Sequence, residues 1–429
     1  MGQPLAIASS DRWRDDHARA RFPRPFVVRD NGAQDERTGP WASVGTCGLT
    51  GIGGASRLVS VTREVPLFGR GRELRLVLEH AARTRAGVVG IAGPAGIGKS
   101  RLAGEVIQRL RDDGFRAVQG SGGPLHGDLS YAPVVAALRP LVAEARMVHG
   151  LGELGRLFDG LPVPRPEPLS DRRLERTRLF EAVCTLLRRV SAPLVVHLDD
   201  LHWADSDSLA LLHYLVRGLA DRPVLFLLAY RAGECAPDAA ALLNALRHAD
   251  QLTETTLGPL DSAAVRELVS ALLGDEPPAV LLEQLPVRAA GVPLFVRALV
   301  DGLREEGALT RSGGRWVLRG GEIGQVPDIV ADLLRARIEA LAEPARAVLD
   351  AIAVAGGLVT HGVLAASIPD ESALLDGVRR LRRAGLVEEE LAGGAVSYRV
   401  AYRLLSEVAY GLIPAAARGE RHAAAARAV

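Results

Sequence analysis

Lysine is nearly absent from this sequence: of 52 lysine and arginine residues in 429, only Lys99 is lysine. Cysteine is scarce too. Cys47, Cys184 and Cys235 are odd in number and widely scattered, which excludes a disulfide framework and a zinc-ligand cluster. Excess charge is also missing. A formal net charge of +1 provides no global basic field, so nucleic acid is not expected as the main partner. No apolar run approaches the roughly 18 residues that span a bilayer, so no membrane partner is expected. The opening MGQPLAIASSDRWRDDHARARF (1–22) carries acidic residues and no apolar segment behind a basic end, unlike a secretory signal. A reducing, cytoplasmic location is the expectation.

The one lysine lies in GPAGIGKS (93–100), which fits the phosphate-loop pattern G-x-x-x-x-G-K-[ST]. In a chain that otherwise uses arginine throughout, this position is informative. A compact ammonium on a flexible stem can approach the β- and γ-phosphates of a nucleotide as a point charge, whereas a planar guanidinium needs different room. The flanks agree. GVVGIA (87–92) suits a buried strand, and SRLAGEVIQRLR (100–111) has apolar residues at helical spacing. In strand–loop–helix order, the backbone N–H groups of Gly93, Pro94, Ala95, Gly96, Ile97, Gly98 and their neighbours (proline excepted), with the helix start at Ser100 and Arg101, face phosphate. Lys99 balances the charge, and the Ser100 hydroxyl binds Mg²⁺.

Residues 1–62 mix arginine, aspartate, glycine and proline without period and are expected to be a disordered extension. GLTGIGGASR (48–57) lacks the G-K-[ST] ending and suits a linker. From 63 to 260, strand-like runs alternate with amphipathic helices, and strands are expected at 87–92, 117–120, 194–198, 224–229 and 253–257. The pattern turns helical over 261–326, with a hairpin signal at ALTRSGGRWVLRG (308–320). Residues 327–413 add helices and then two strand-like pieces around a Gly-Gly turn in LVEEELAGGAVSYRV (386–400), the pattern of a winged helix. Residues 414–429 begin a further helical region. The expected fold class is α/β, a P-loop NTPase with α/β/α layers and a mainly parallel sheet, followed by a helical domain and a winged-helix domain.

APLVVHLDDLHWADSDSL (192–209) is an apolar strand ending in two carboxylates. Strand ends face the ligand crevice in such sheets. Asp199 is therefore placed to hold Mg²⁺ and Asp200 to polarise an attacking water; standing alone the pair could also be a turn or a helix cap, a reading the nearby phosphate loop disfavours. His197 suits a satisfied buried histidine, and His202 and Trp203 suit packing and orientation. PVLFLLAYR (223–231) ends in Arg231. If this strand lies between those of the phosphate loop and Asp199, Arg231 points at the γ-phosphate; otherwise it is solvated.

LFGRGREL (67–74), GPAGIGKS, VVHLDDLHWAD (195–205), LLAYRAGE (227–234) and AAGVPLFVRAL (289–299), in this order, resemble the signal-transduction ATPases with numerous domains (STAND). The set is similar in particular to the nucleotide-binding half of large ATP-binding LuxR-type regulators of the maltose-regulator kind. The resemblance implies that Leu67, Phe68, Gly69 and Arg70 lie over adenine, that Pro293 contacts the base, and that Arg231 senses the γ-phosphate. It implies ATP/ADP and Mg²⁺ as cofactors and slow, regulatory hydrolysis, with Asp200, Lys99 and Arg231 as catalytic residues. The winged helix is expected to close over bound ADP and to open with ATP, rather than to bind DNA. Tyr402 in VAYRLLSEVAY (400–410) stands where the family carries a histidine that meets phosphate; a phenol can donate a hydrogen bond there but carries no positive charge. An effector or signal-binding partner through a region beyond RGERHAAAARAV (418–429), and nucleotide-dependent homo-oligomers, are further expectations. The competing reading is an AAA-type, DNA-associated ATPase of the origin-recognition or helicase-loader kind, whose winged helix does bind duplex.

Overall fold

The computed structural model describes residues 66–428, apart from short stretches at 84–85, 124–129, 145–147, 162, 164–165, 168–169, 322, 324–327 and 393–394. The extension expected over 1–62 lies outside the described residues, as does the glycine pair expected to turn the last hairpin.

Five strands, β1 (Ala86–Ala92), β2 (Arg116–Ser121), β3 (Leu194–Asp199), β4 (Val224–Tyr230) and β5 (Leu252–Thr256), form one parallel sheet in the order β2-β3-β4-β1-β5. All five lie within two residues of the runs expected from sequence. β4 is buried at every position, as a central strand covered on both faces must be. Its even and odd positions serve opposite sides. Leu225, Leu227 and Ala229 join α1 (Gly71–Arg83) and α2 (Lys99–Asp112) on one face. Val224, Phe226, Leu228 and Tyr230 join α3 (Ala132–Val142), α4 (Arg172–Arg188), α5 (Ser206–Gly218) and α6 (Pro237–His248) on the other. The result is three layers, helix on sheet on helix.

The apolar cluster on the α1–α2 face does not stop at the sheet. It continues through α7 (Ser262–Leu273), α8 (Ala279–Ala289) and α9 (Pro293–Glu305) into the C-terminal part. A short hairpin, β6 (Leu309–Ser312) and β7 (Arg315–Leu318), follows α9. The C-terminal part holds α10 (Asp328–Glu339), α11 (Ala345–Ala355), β8 (Val359–Thr360), α12 (His361–Ser367) and α13 (Glu371–Arg383). An antiparallel pair, β9 (Val387–Ala392) and β10 (Ala395–Val400), comes next, then α14 (Arg403–Leu412) and α15 (Ala415–Ala428). β8 pairs with β10 to complete a three-stranded sheet.

The parallel register brings the functional segments together. Asp199 ends β3 opposite Ser121, and Tyr230 ends β4 opposite Ala92 of β1. Because all five strands run the same way, the loops beginning at Gly93, Asp200 and Arg231 leave the sheet at one edge, where such folds place their ligands.

Candidate functional site

At that edge is a cleft of about 400 Å³. Its polar floor is the glycine loop. α2 starts at Lys99, with Gly98 as its N-terminal cap in a left-handed conformation and with no side chain capping the first turn. The first N–H groups of a helix lack intrahelical acceptors, so this uncapped end is a ready anion site. Gly96 is also left-handed, at φ 74°, and a Cβ there would come within 2.9 Å of Leu294 Cβ. The loop can therefore lie directly under α9, and the Leu294 N–H donates to the Gly96 carbonyl at 3.2 Å.

Lys99 is buried, and its Nζ donates to the Pro94 carbonyl at 3.0 Å. Burial, and then the neighbouring Arg231 guanidinium, push the ammonium below its ordinary range; Asp200 and Asp199 oppose that shift.

Ser100 and Arg101 line the cleft beside Lys99. Asp200 lines it too, at a left-handed φ of 50° that turns the chain sharply out of β3. Burial, and then Asp199, raise the Asp200 carboxyl above its usual value. Asp199 points differently: its carboxylate accepts the Asp200 N–H at 2.9 Å, and it is not among the residues lining the cleft. Arg231 lines the cleft, and its strand lies between those of Gly93 and Asp199, which is the condition on which its phosphate-facing role depended.

The opposite wall is apolar. Leu67 and Phe68 form it with Pro66, Leu260, Leu268, Leu272, Pro293 and Leu294. Arg70 reaches the cleft but works mainly as a tie, its buried guanidinium donating to the Gly258 carbonyl and, at 3.4 Å, to that of Ile97. Gly69, Gly93 and Pro94 support the wall and the loop without lining the cleft, whereas Ala95, Gly96, Ile97 and Gly98 line it. Sequence reasoning missed Leu260, Leu268, Leu272, Leu294 and Arg297. Leu268, Leu272 and Leu294 carry the same signal as any core face of an amphipathic helix, so only the fold separates the two uses.

Tyr402 departs from its expected place. It is buried beside Phe295, with ring centroids 5.3 Å apart, and its hydroxyl accepts from Arg337 Nη1 at 3.5 Å; it does not line the cleft. The phenol's apolar ring has gone into the contact between α9 and the start of α14, where a charged imidazole would be costly.

His197 is buried and donates from Nδ1 to the Leu227 carbonyl at 2.9 Å, a satisfied histidine. His202 is buried with neither ring nitrogen hydrogen-bonded, and its Nδ1 lies 3.8 Å from Asp200 Oδ1. Burial, followed by Arg231, pushes its pKa down to about 4, so the ring faces Asp200 as a neutral imidazole at neutral pH. The last aspartate of the same motif, Asp205, caps α5 by accepting from Ser208 N at 2.9 Å.

Residues 66–227 match the family of the AAA ATPase domain. This segment is an AAA-type ATPase domain. It carries the glycine loop, both aspartates and most of β4, and Arg231 follows four residues beyond the match. The chain is 28% identical over 384 residues to an uncharacterized protein of Rhizobium meliloti (strain 1021), an overlap of 81% of this chain and 35% of that protein. It therefore spans about a third of the curated relative it matches. Among solved structures, the Walker-type ATPase PABY2304 of Pyrococcus abyssi is similar at a TM-score of 0.54 and 15% identity, covering 80% of this chain and 96% of that one. That likeness is one of fold. The Orc1 protein of Aeropyrum pernix in complex with DNA reaches a TM-score of 0.39 at 15% identity, over 82% of this chain and 95% of that one, too distant to carry an argument. Among the described residues, no helix is long and apolar enough to cross a membrane.

The donor set around the ATPase domain's cleft fits a magnesium nucleotide. An uncapped helix start, a buried lysine and an arginine answer phosphate; a serine hydroxyl and a carboxylate answer a hard cation; and an apolar wall answers a base.

Proposed function

We propose that this protein is an ATP-binding, slowly hydrolysing signal-transduction switch, the regulatory ATPase part of a transcriptional regulator of the STAND and LuxR-type kind. The observation that carries this reading is the joint between phosphate loop and lid. Gly96 and Leu294 share a hydrogen bond at the cleft floor, so the loop that would hold the phosphates also holds the helix that bears Pro293. The neighbouring helix continues the connection, with Arg288 of α8 paired to Glu407 of α14 at 3.1 Å. Residues 328–413, which we read as a winged helix, are thereby linked to the nucleotide site.

In this reading the triphosphate lies along residues 95–101, and Lys99 and Arg231 supply positive charge to its outer oxygens. Mg²⁺, when bound, neutralises charge on the β- and γ-phosphate oxygens; Ser100 and Asp199 would hold it, Asp199 through water. Asp200, its carboxyl raised above its usual value by burial and facing His202, holds and orients the attacking water. Turnover on the order of 10⁻³ s⁻¹ is expected, as in phosphate-loop switches acting without a partner's positive group.

The test is single-turnover and steady-state ATP hydrolysis, with and without duplex DNA. Slow turnover, indifferent to DNA, supports the switch. Fast turnover stimulated by duplex would replace it with the DNA-associated ATPase reading, in which the arginines of α13 bind DNA.

A further inference from the structure

Arg231 does not stand alone at the cleft. Its Nη1 donates to Glu234 Oε2 at 2.6 Å, and the other oxygen of the same carboxylate accepts from Arg337 Nη2 at 3.0 Å. Arg337 belongs to α10, outside the cleft, and ties down the C-terminal part: it also donates to the Ala384 carbonyl at the end of α13 and to the Tyr402 hydroxyl. The contact is close at backbone level as well. A Cβ on Gly233 would lie 2.1 Å from the Arg383 carbonyl oxygen, so the glycine beside Glu234 lets the two segments touch. These charged groups are largely withdrawn from water, with Arg337 and Glu234 side chains 13% and 26% exposed, and salt screens them less than a surface pair. Burial works against the ionised Glu234, yet the hydrogen bond from Arg231 and the charge of Arg337 hold its carboxyl below the ordinary range.

We propose that Glu234 is a shared counter-ion through which the nucleotide's γ-phosphate and the C-terminal part are coupled. This rests on the ATP reading of the cleft. One guanidinium, Arg231, has two claimants, Glu234 and the γ-phosphate, and one carboxylate, Glu234, has two claimants, Arg231 and Arg337. When the γ-phosphate takes Arg231, Glu234 is left wholly to Arg337, and positive and negative groups alternate along the row: phosphate, Arg231, Glu234, Arg337. ADP leaves Arg231 on Glu234 and divides the carboxylate between two arginines. Coupling of this kind is reciprocal, so Arg337 must influence the choice between ATP and ADP although it does not line their site.

The two ends therefore have opposite signs. Glu234→Gln frees Arg231 and removes a negative charge near the γ-phosphate, so affinity for the non-hydrolysable ATP analogue AMP-PNP should rise relative to ADP, by about fivefold or more. Arg337→Gln leaves Glu234 to Arg231 alone, so the same ratio should fall. Titration calorimetry of the full chain with Mg²⁺ and each nucleotide measures both, with circular dichroism melting as the check on folding. Hydrogen exchange of the unaltered protein over residues 380–386 adds a readout that needs no variant: protection should be greater with AMP-PNP than with ADP, the opposite of a clamp that closes on ADP and opens with ATP. An unchanged ratio in both variants, or shifts of the same sign, overturns the relay, as does equal exchange with the two nucleotides. An unaltered protein that binds neither nucleotide sinks the ATP reading itself.

Discussion

At the scale of single residues, the site depends on where charge is held out of water. Lys99 is buried against its own loop, and its ammonium is already depressed by burial and by Arg231, so an arriving phosphate meets a cation with little hydration left to lose. A unit charge pair at about 4 Å is worth roughly 4 kcal/mol at an effective dielectric of 20. Lys99→Ala should therefore weaken ATP binding on the order of a hundredfold or more, and unchanged affinity in a nucleotide titration would refute the phosphate loop. The two aspartates separate binding from chemistry. Asp200→Asn should keep Mg²⁺ and ATP bound while slowing hydrolysis, because it alters the group that faces the cleft. Asp199→Asn should damage both, since it removes the charge of the carboxylate assigned to the metal while leaving an oxygen to accept the Asp200 N–H. The reverse pattern in binding and single-turnover assays would exchange their assignments. Tyr402, by contrast, lies outside the cleft. Tyr402→Phe should lower melting temperature slightly and leave ADP affinity nearly unchanged.

At the scale of elements, the joint between the glycine loop and α9 is set by space. Gly96 combines a left-handed φ with a 2.9 Å approach to Leu294. Gly96→Ala should therefore push the lid helix off the loop and weaken nucleotide binding with Lys99 still in place. Normal affinity together with an unaltered melting point would show that the joint gives way freely. The edge strand β5 has its own charged fastening. Tyr230 donates its hydroxyl to Glu254, and Arg247 donates to the same carboxylate at 3.0 and 2.9 Å. Burial opposes ionisation of Glu254, but these donors hold its carboxyl below the ordinary glutamate value of about 4.3. The stability it contributes is thus complete above that value and lost as pH falls through the lower, folded-state value. Urea midpoints measured at pH 6 and in the acid range should fall less in Glu254→Gln than in the unaltered protein.

At the scale of the whole molecule, one apolar cluster runs from the sheet through α7, α8 and α9 to the C-terminal helices, so a change at the cleft reaches residues far along the chain without crossing solvent. A ligand shifts such a balance only by its different affinity for two arrangements. Hydrogen exchange over residues 400–410 with ADP, with ATP and without nucleotide should therefore give different protection in the three states. Identical protection would mean that the C-terminal part is not gated by nucleotide.

Sequence alone determined the parallel sheet, because buried strands and glycine-punctuated helices announce themselves by local period, and it singled out Lys99, Ser100, Asp200 and Arg231, because phosphate chemistry requires those side chains at strand and helix ends. It did not reveal the apolar wall, where Leu268 and Leu272 have the spacing of any buried helix face. It gave Asp199 and Asp200 different roles but not which carboxylate meets the cleft, since one left-handed residue decides that. Tyr402 and Glu234 show the same limit over longer distances. Their partners Phe295 and Arg337 lie far away in sequence, and only the folding of the C-terminal part against α9 and the loop after β4 brings them within reach.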